Sequence, residues 1–162
     1  MKCEQLLRQL LRKEGHTLFK ELVAKKRYSF HEGFDDWRDA IKAACQPLLD
    51  DGTIDKEYPE YIIEKVEELG PYIVIAPDIC IPHAERGRGV HDTAMCFMKT
   101  EKPVRFSDDG EHDARIFMVL AATDNDAHIE NLMALSETLS DEEIVKGILA
   151  AKTPEDLEAL EK

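Results

Sequence analysis

The sequence predicts an α/β protein, a mixed β-sheet with helices flanking both of its faces. Three observations predict it. Apolar stripes at helical spacing occupy the chain up to residue 69 and again from residue 126. Short β-rich apolar runs crowd the middle, so helices stand before, around and after a cluster of strands. One of those runs, residues 116–122, is apolar at every position; it has no polar side to give to water and belongs in the centre of a sheet covered on both faces.

Taken in order, residues 2–23 carry Leu6, Leu7, Leu10, Leu11, Leu18 and Leu22 as one helical stripe, which Gly15 divides into two helices. A short strand follows over Tyr28 to Phe30, with a turn at Gly33. The next helix starts near Asp36 and sets Trp37, Ile41, Ala44, Cys45 and Leu48 on one face; Pro47 is expected to kink or shorten its last turn. Asp51-Gly52 is a loop. Residues 56–69 form a helix with Tyr58, Tyr61, Ile62, Val66 and Leu69 on its stripe, stopped by Gly70-Pro71. Strands are expected at 72–75, 79–81, 93–98 and 116–122, with a polar loop from Ser107 to Asp113. The pattern turns helical from Asp126, with Ile129, Leu132, Met133, Ser136 and Leu139 in register, and again from Asp141 to Ala151. Thr153 reads as an N-cap with Pro154 at the first helical position; Asp156 is shorter than the Glu or Gln of a full capping box, so a partial cap is expected. That last helix runs on through Leu157 and Leu160.

Composition narrows the function. With 162 residues the chain suits one core, and 43% hydrophobic with 34% charged residues is a folded, globular balance. A net charge of −13 repels phosphate backbones and argues against nucleic-acid binding. It suits a basic protein partner or simply a solvated acidic surface. No apolar run approaches the ~20 residues that span a bilayer. The start, Met1-Lys2-Cys3-Glu4-Gln5, lacks a basic segment followed by an apolar core, so no secretory signal is read. Cys3, Cys45, Cys80 and Cys96 show no paired spacing, which points to reduced thiols in a cytoplasmic protein.

The segment Gly70 to Ala84 holds the chemistry. Apolar runs on either side of Pro77-Asp78 lead to Pro82, whose fixed φ precedes His83, a side chain whose pKa near 6.5 leaves a neutral nucleophile at cellular pH. Glu85-Arg86-Gly87-Arg88-Gly89 follows, offering backbone N–H groups and planar guanidinium donors to an anion. On these residues alone an ordinary turn histidine fits as well. His128 lies in the first turn of a helix after the capping candidates Thr123 to Asp126, where the helix dipole disfavours imidazolium and favours an anion nearby; a solvated polar residue also fits there. His16 and His31 read as surface residues, and His91 and His112 as turn residues beside Asp92 and Asp113. Cys80 and His83 have a C-x-x-H spacing that His91 and His128 would have to complete, but no second ligand pair exists and Cys80 alternates with core isoleucines, so no metal is expected. There is no G-x-S-x-G elbow.

With these residues in view, Gly70-Pro71-Tyr72, Ile75-Ala76-Pro77 and Ile81-Pro82-His83-Ala84 resemble the active-site signature of IIA components of the bacterial phosphoenolpyruvate-dependent sugar phosphotransferase system. The likeness is to the mannitol/fructose-type superfamily, and within it to ascorbate-type IIA proteins. It continues through Val90, the strand ending near Met98, Lys102–Phe106, residues 116–122, Ala127-His128-Ile129 and Ala151–Leu157. It implies a type-2 IIA domain over residues 17–162, preceded by a helical extension, residues 1–16, without a counterpart; that leucine-rich extension leaves a homodimer open. It further implies a phosphotransferase with a phosphohistidine intermediate and no cofactor. His83 would take a phosphoryl group from the phosphocarrier HPr and pass it to a cysteine of a IIB partner, and through it serve a IIC permease, with His128 contacting the phosphoryl group. Ascorbate or a related sugar is the substrate that the motif's wording suggests. Glu85 intervenes before Arg86, so Arg86 and Arg88 both stand as candidates for phosphoryl or partner binding. Where mannitol-type members carry an upstream helical arginine, this chain offers Lys65, a point charge without the fork. Nitrogen-type IIA proteins supply the alternative, a regulator that binds partners according to its phosphorylation state.

Overall fold

A computed structural model describes residues 18–84 and 88–161. The leucine stripe before residue 18, Cys3, His16, Glu85 and Arg86 lie outside the described residues. The sheet has five strands in the order β1-β4-β5-β3-β2, namely β1 (Tyr28–His31), β2 (Val74–Ala76), β3 (Asp78–Cys80), β4 (Ala94–Arg105) and β5 (Asp113–Ala121). It is mixed: β1 runs parallel to β4 and β3 parallel to β5, while β4–β5 and β2–β3 are antiparallel. β5 takes the centre that its unbroken apolar run predicts.

The helices cover both faces. On one face α2 (Trp37–Asp50) and α3 (Tyr58–Leu69) bury Ile41, Leu48, Ile62 and Val66 against Phe117, Val119 and Ala121 of β5. On the other lie α1 (Leu18–Ala24), α4 (Asn125–Leu139), α5 (Glu142–Ala150) and α6 (Pro154–Glu158), the last continued by a single 3₁₀ turn. They bury Leu22, Leu135, Ile148 and Leu157 against Ile116, Met118 and Leu120. Alternate residues of one strand thus feed two cores, which is why no position of β5 is polar between Ile116 and Ala121.

Several local expectations need correction. Pro47 does not end α2, which runs on to Asp50. The proline withholds one backbone donor, and the fully buried Leu48 beyond it holds the last turn on the sheet. β4 does not stop at Met98. Its polar stretch stays in the sheet because Lys99 Nζ donates to the Ala151 carbonyl (2.7 Å) and to Glu101 (2.9 Å), and Thr100 Oγ1 donates to the Lys102 carbonyl (2.8 Å). A register shift between Lys99 and Val104 absorbs the extra residues, Pro103 among them. β2 begins at Val74, leaving Tyr72 outside the strand. The cap of α6 is a complete capping box: Thr153 accepts from the Asp156 N–H, and the Asp156 carboxylate accepts from the N–H groups of both Thr153 and Lys152. Helix stripes also mislead at some positions. Leu69 is 62% exposed, and on α4 the buried residues are Leu135 and Leu139, whereas Ile129 (47%) and Met133 (46%) face outward.

Lys99 generates a stability prediction. Lys99→Met keeps the buried stem and removes the donor to the buried Ala151 carbonyl, so urea unfolding should show a loss of about 1–3 kcal/mol. Lys99→Ala, which also removes the packed stem, should lose more.

Candidate functional site

The site forms at the carboxyl ends of two neighbouring parallel strands. β3 pairs with β5 through Ile79↔Ile116 and Cys80↔Phe117, so both chains leave the sheet at the same end. After β3 come Ile81, Pro82 and His83; after β5 come Thr123, Asp124 and the first turn of α4, which holds His128. The two imidazoles meet there with ring centroids 5.2 Å apart and planes inclined at 52°. A crevice outside the carboxyl ends of parallel strands is where open α/β sheets collect functional groups.

Backbone hydrogen bonds hold the His83 segment closely. The Ile81 N–H donates to the Ile73 carbonyl (2.8 Å), and the Leu120 N–H of β5 donates to the Pro82 carbonyl (3.0 Å). Two tyrosines complete the grip: the Tyr72 hydroxyl donates to the carbonyl of His83 itself (2.6 Å), and the Ala84 N–H donates to the Tyr58 hydroxyl (3.2 Å). The Tyr72 ring also stands edge-on to the His83 ring at 5.2 Å. Burial pushes the Tyr72 hydroxyl up to about 12, so it stays a proton donor at any working pH.

The His83 side chain is oriented by its own turn. Nδ1 lies 2.6 Å from the Ile81 carbonyl, an acceptor only, so Nδ1 carries the proton and donates it. The lone pair of the neutral ring is then on Nε2. Burial lowers the pKa of the ring below 6.5 and outweighs the Ile81 carbonyl, which favours the charged form. The result is a fixed, neutral imidazole with one nucleophilic nitrogen.

His128 is placed by the cap of α4. Asp124 is the N-cap, its carboxylate accepting from the Ala127 N–H (2.8 Å), and its carbonyl accepts from the His128 N–H (3.1 Å). The carboxylate therefore already takes one free donor of the helix start, and the imidazole of His128, rather than the bare helix terminus, is what faces His83. Arg88 is exposed, and its guanidinium lies over the Tyr61 ring at 3.9 Å. Lys65 is half-buried one turn further along α3. The structure thus brings the two histidines together and sets Arg88 against α3; Arg86 falls outside the described residues.

His91 and His112 have other partners. His91 pairs with Asp55 (2.6 Å) and His112 with Ser107 (3.0 Å), not with the aspartates beside them in sequence. Cys80 is fully buried, its thiol held well above the ordinary value by desolvation, so it faces the core and not His83. Among the described residues no group of three or more His, Cys, Asp or Glu is arranged to hold a metal ion, and no helix is long and apolar enough to cross a membrane. The sequence does not single out Tyr58, which fits an apolar helical stripe, and offers Tyr72 only as part of the signature wording. The usable signal is that a buried tyrosine must find a partner for its hydroxyl.

A family model described as the phosphoenolpyruvate-dependent sugar phosphotransferase system, EIIA 2, matches residues 21–162. The chain belongs to this EIIA family. EIIA components are phosphotransferases, and membership gives the chain a phosphoryl-carrier role in a sugar phosphotransferase system. It is similar to the ascorbate-specific EIIA component of Escherichia coli strain K12, at 29% identity over 137 residues, 84% of this chain and 89% of that one. It is also similar to the solution structure of the mannitol-specific cryptic IIA enzyme of Escherichia coli (TM-score 0.75, 32% identity, 83% of this chain and 91% of that one). The fold recurs in the Escherichia coli complex of the mannitol IIA enzyme with phosphorylated IIB (TM-score 0.73, 22% identity, 83% and 93% covered).

The protonation state of His83 is directly measurable. Long-range ¹H–¹⁵N spectra should show the Nδ1–H tautomer and a titration midpoint below 6.5; an Nε2–H ring or a midpoint above that value contradicts the geometry. Between the native midpoint and 6.5 the unfolded chain binds a proton that the native one does not. Stability should therefore fall as pH drops through that window, and His83→Gln should flatten that part of the profile.

Proposed function

We propose that this EIIA accepts a phosphoryl group from HPr on Nε2 of His83 and transfers it to a cysteine of a IIB component, which serves a IIC permease from the cytoplasmic side. The observation that carries the reading is the bond from His83 Nδ1–H to the Ile81 carbonyl (2.6 Å), which leaves Nε2 as the nucleophile on a ring set against His128. In the first step the Nε2 lone pair attacks phosphorus in line, the bond from phosphorus to the donor's imidazole nitrogen breaks, and its electron pair returns to the donor. The His83 ring then carries positive charge, and the Nδ1–H bond to Ile81 strengthens because its donor is ionised. In the second step the IIB thiolate attacks phosphorus and the electrons of the P–N bond return to Nε2.

His128 is assigned the task of donating an N–H to a phosphoryl oxygen as charge spreads over the three equatorial oxygens. Arg88, whose guanidinium lies over the Tyr61 ring of α3, and Lys65 of the same helix are candidates for contact with the phosphoryl group or with a partner's surface, and Arg86 is a third candidate from the sequence. A related EIIA named for ascorbate supports ascorbate or a related sugar as the transported substrate. The IIA domain itself touches HPr and IIB rather than the carbohydrate, so the choice of sugar rests on the permease it serves.

Incubation with phosphoenolpyruvate, enzyme I and HPr should label the protein, and His83→Ala should abolish the label. Undiminished labelling of that variant overturns the assignment. His128→Ala should still become labelled, but should take the phosphoryl group from HPr and pass it to IIB each about 10²-fold more slowly, the usual loss on removing one donor to a transition-state oxyanion; unchanged transfer in both steps removes His128 from the mechanism.

A further inference from the structure

We infer that Tyr58 is a positioning residue of the phosphoryl site: its hydroxyl ties the backbone just past His83 to the end of the strand that leads to His128, and so sets the two imidazoles against each other. The inference rests on the phosphoryl-acceptor reading of His83. Tyr58 is the first residue of α3, is 1% exposed, and reaches into the sheet from the opposite side to α4. Its hydroxyl donates to the Leu120 carbonyl at 2.7 Å and accepts from the Ala84 N–H at 3.2 Å. Leu120 in turn donates its N–H to the Pro82 carbonyl at 3.0 Å. Both backbone groups of one β5 residue are thereby coupled to the His83 segment, one directly and one through the phenol.

No other described contact closes this circuit. Ala84 and Leu120 are buried, so water is not at hand to replace the hydroxyl, and its removal leaves one N–H and one C=O unpaired in the interior. Among the described residues, the chain around His83 is then tied to the Leu120 end of β5 only through the Pro82 carbonyl, ahead of the histidine. The same helical turn grips the far side of the loop as well. A Cβ on Gly89 would lie 3.6 Å from the Tyr58 Cβ and 3.4 Å from the Tyr61 ring, and the Arg88 guanidinium covers that ring. Gly89 has φ +74°, a conformation that favours glycine and lets the loop turn back close against α3. The first turn of α3 therefore holds the chain at 84 and again at 88–89. Because phosphoryl transfer depends on in-line placement, and a displacement of about 1 Å can cost about 10²-fold in rate, a tether at this point governs rate more than binding.

The experiment is Tyr58→Phe in the full chain, which keeps the buried ring and removes only the oxygen, assayed with phosphoenolpyruvate, enzyme I and HPr. The rate of labelling should fall about 10- to 100-fold, while the extent at completion and the circular dichroism at the assay temperature stay as in the wild type. In a His128→Ala background the same substitution should cost less than about threefold, because the partner imidazole is already gone. A rate unchanged by Tyr58→Phe, or an equal loss in both backgrounds, overturns the positioning role, since a merely structural tyrosine would act independently of His128. Amide hydrogen exchange in the wild type gives a reading that needs no variant: the Ala84 N–H should be protected, and exchange as fast as in an exposed loop overturns the tie. A wild-type protein that takes no label at His83 overturns the phosphoryl-acceptor reading, and is distinct from labelling that proceeds without regard to Tyr58.

Discussion

The parallel hydrogen bonding of β3 to β5 fixes where the chemistry is placed. Two strands far apart in sequence run side by side and leave the sheet at one end, so His83 after β3 and His128 in the first turn of α4 meet there. The pairing is secure because β5 lies at the centre of the sheet, with one set of alternate residues in the core under α2 and α3 and the other in the core under α1, α4, α5 and α6. A one-residue slip would exchange the two sets and place each against packing made for the other. The geometry of the two rings is thus inherited from the register of the sheet.

From that frame the electrostatics of His83 follow. Desolvation disfavours the charged ring, and the Ile81 carbonyl pulls the other way; desolvation is the larger effect, so the ring rests neutral. The same carbonyl nevertheless selects the tautomer, since it can only accept. Burial and the backbone bond therefore have separate consequences, one setting which charge state prevails and the other setting which nitrogen holds the lone pair. Neither requires a charged side chain beside His83.

Legibility in the sequence followed physical range. The central place of β5, the presence of Cys80 in the core and the capping residue Thr153 rest on local pattern or on burial of a whole strand, and they were readable. The meeting of His83 with His128 was suggested by resemblance, and the parallel pairing that causes it is a long-range fact no local pattern contains. Helical stripes mislead at some positions: Leu69, Ile129 and Met133 match helical spacing, yet each faces outward. The extent of β4 was hidden because Lys99 reads as polar until its partners, Glu101 and the Ala151 carbonyl, are seen. Asp156 is shorter than the usual capping-box residue, yet its carboxylate reaches the Thr153 N–H and that of Lys152 as well.

The choice of tyrosines around His83 has a physical logic. On the proposed role of His83, the backbone from Ile81 to Ala84 must be immobile for in-line transfer, and its buried carbonyl and amide groups need partners. Lysine or arginine in the places of Tyr58 and Tyr72 would supply donors, but a cation there would have to be buried and would add its field to the reacting centre. A phenol donates and accepts without net charge, and burial pushes its pKa up, so it does not ionise as the phosphoryl group arrives. Under the proposed function, rigid neutral clamps on the backbone would leave the charges of the site to the phosphoryl group itself and to the two imidazoles.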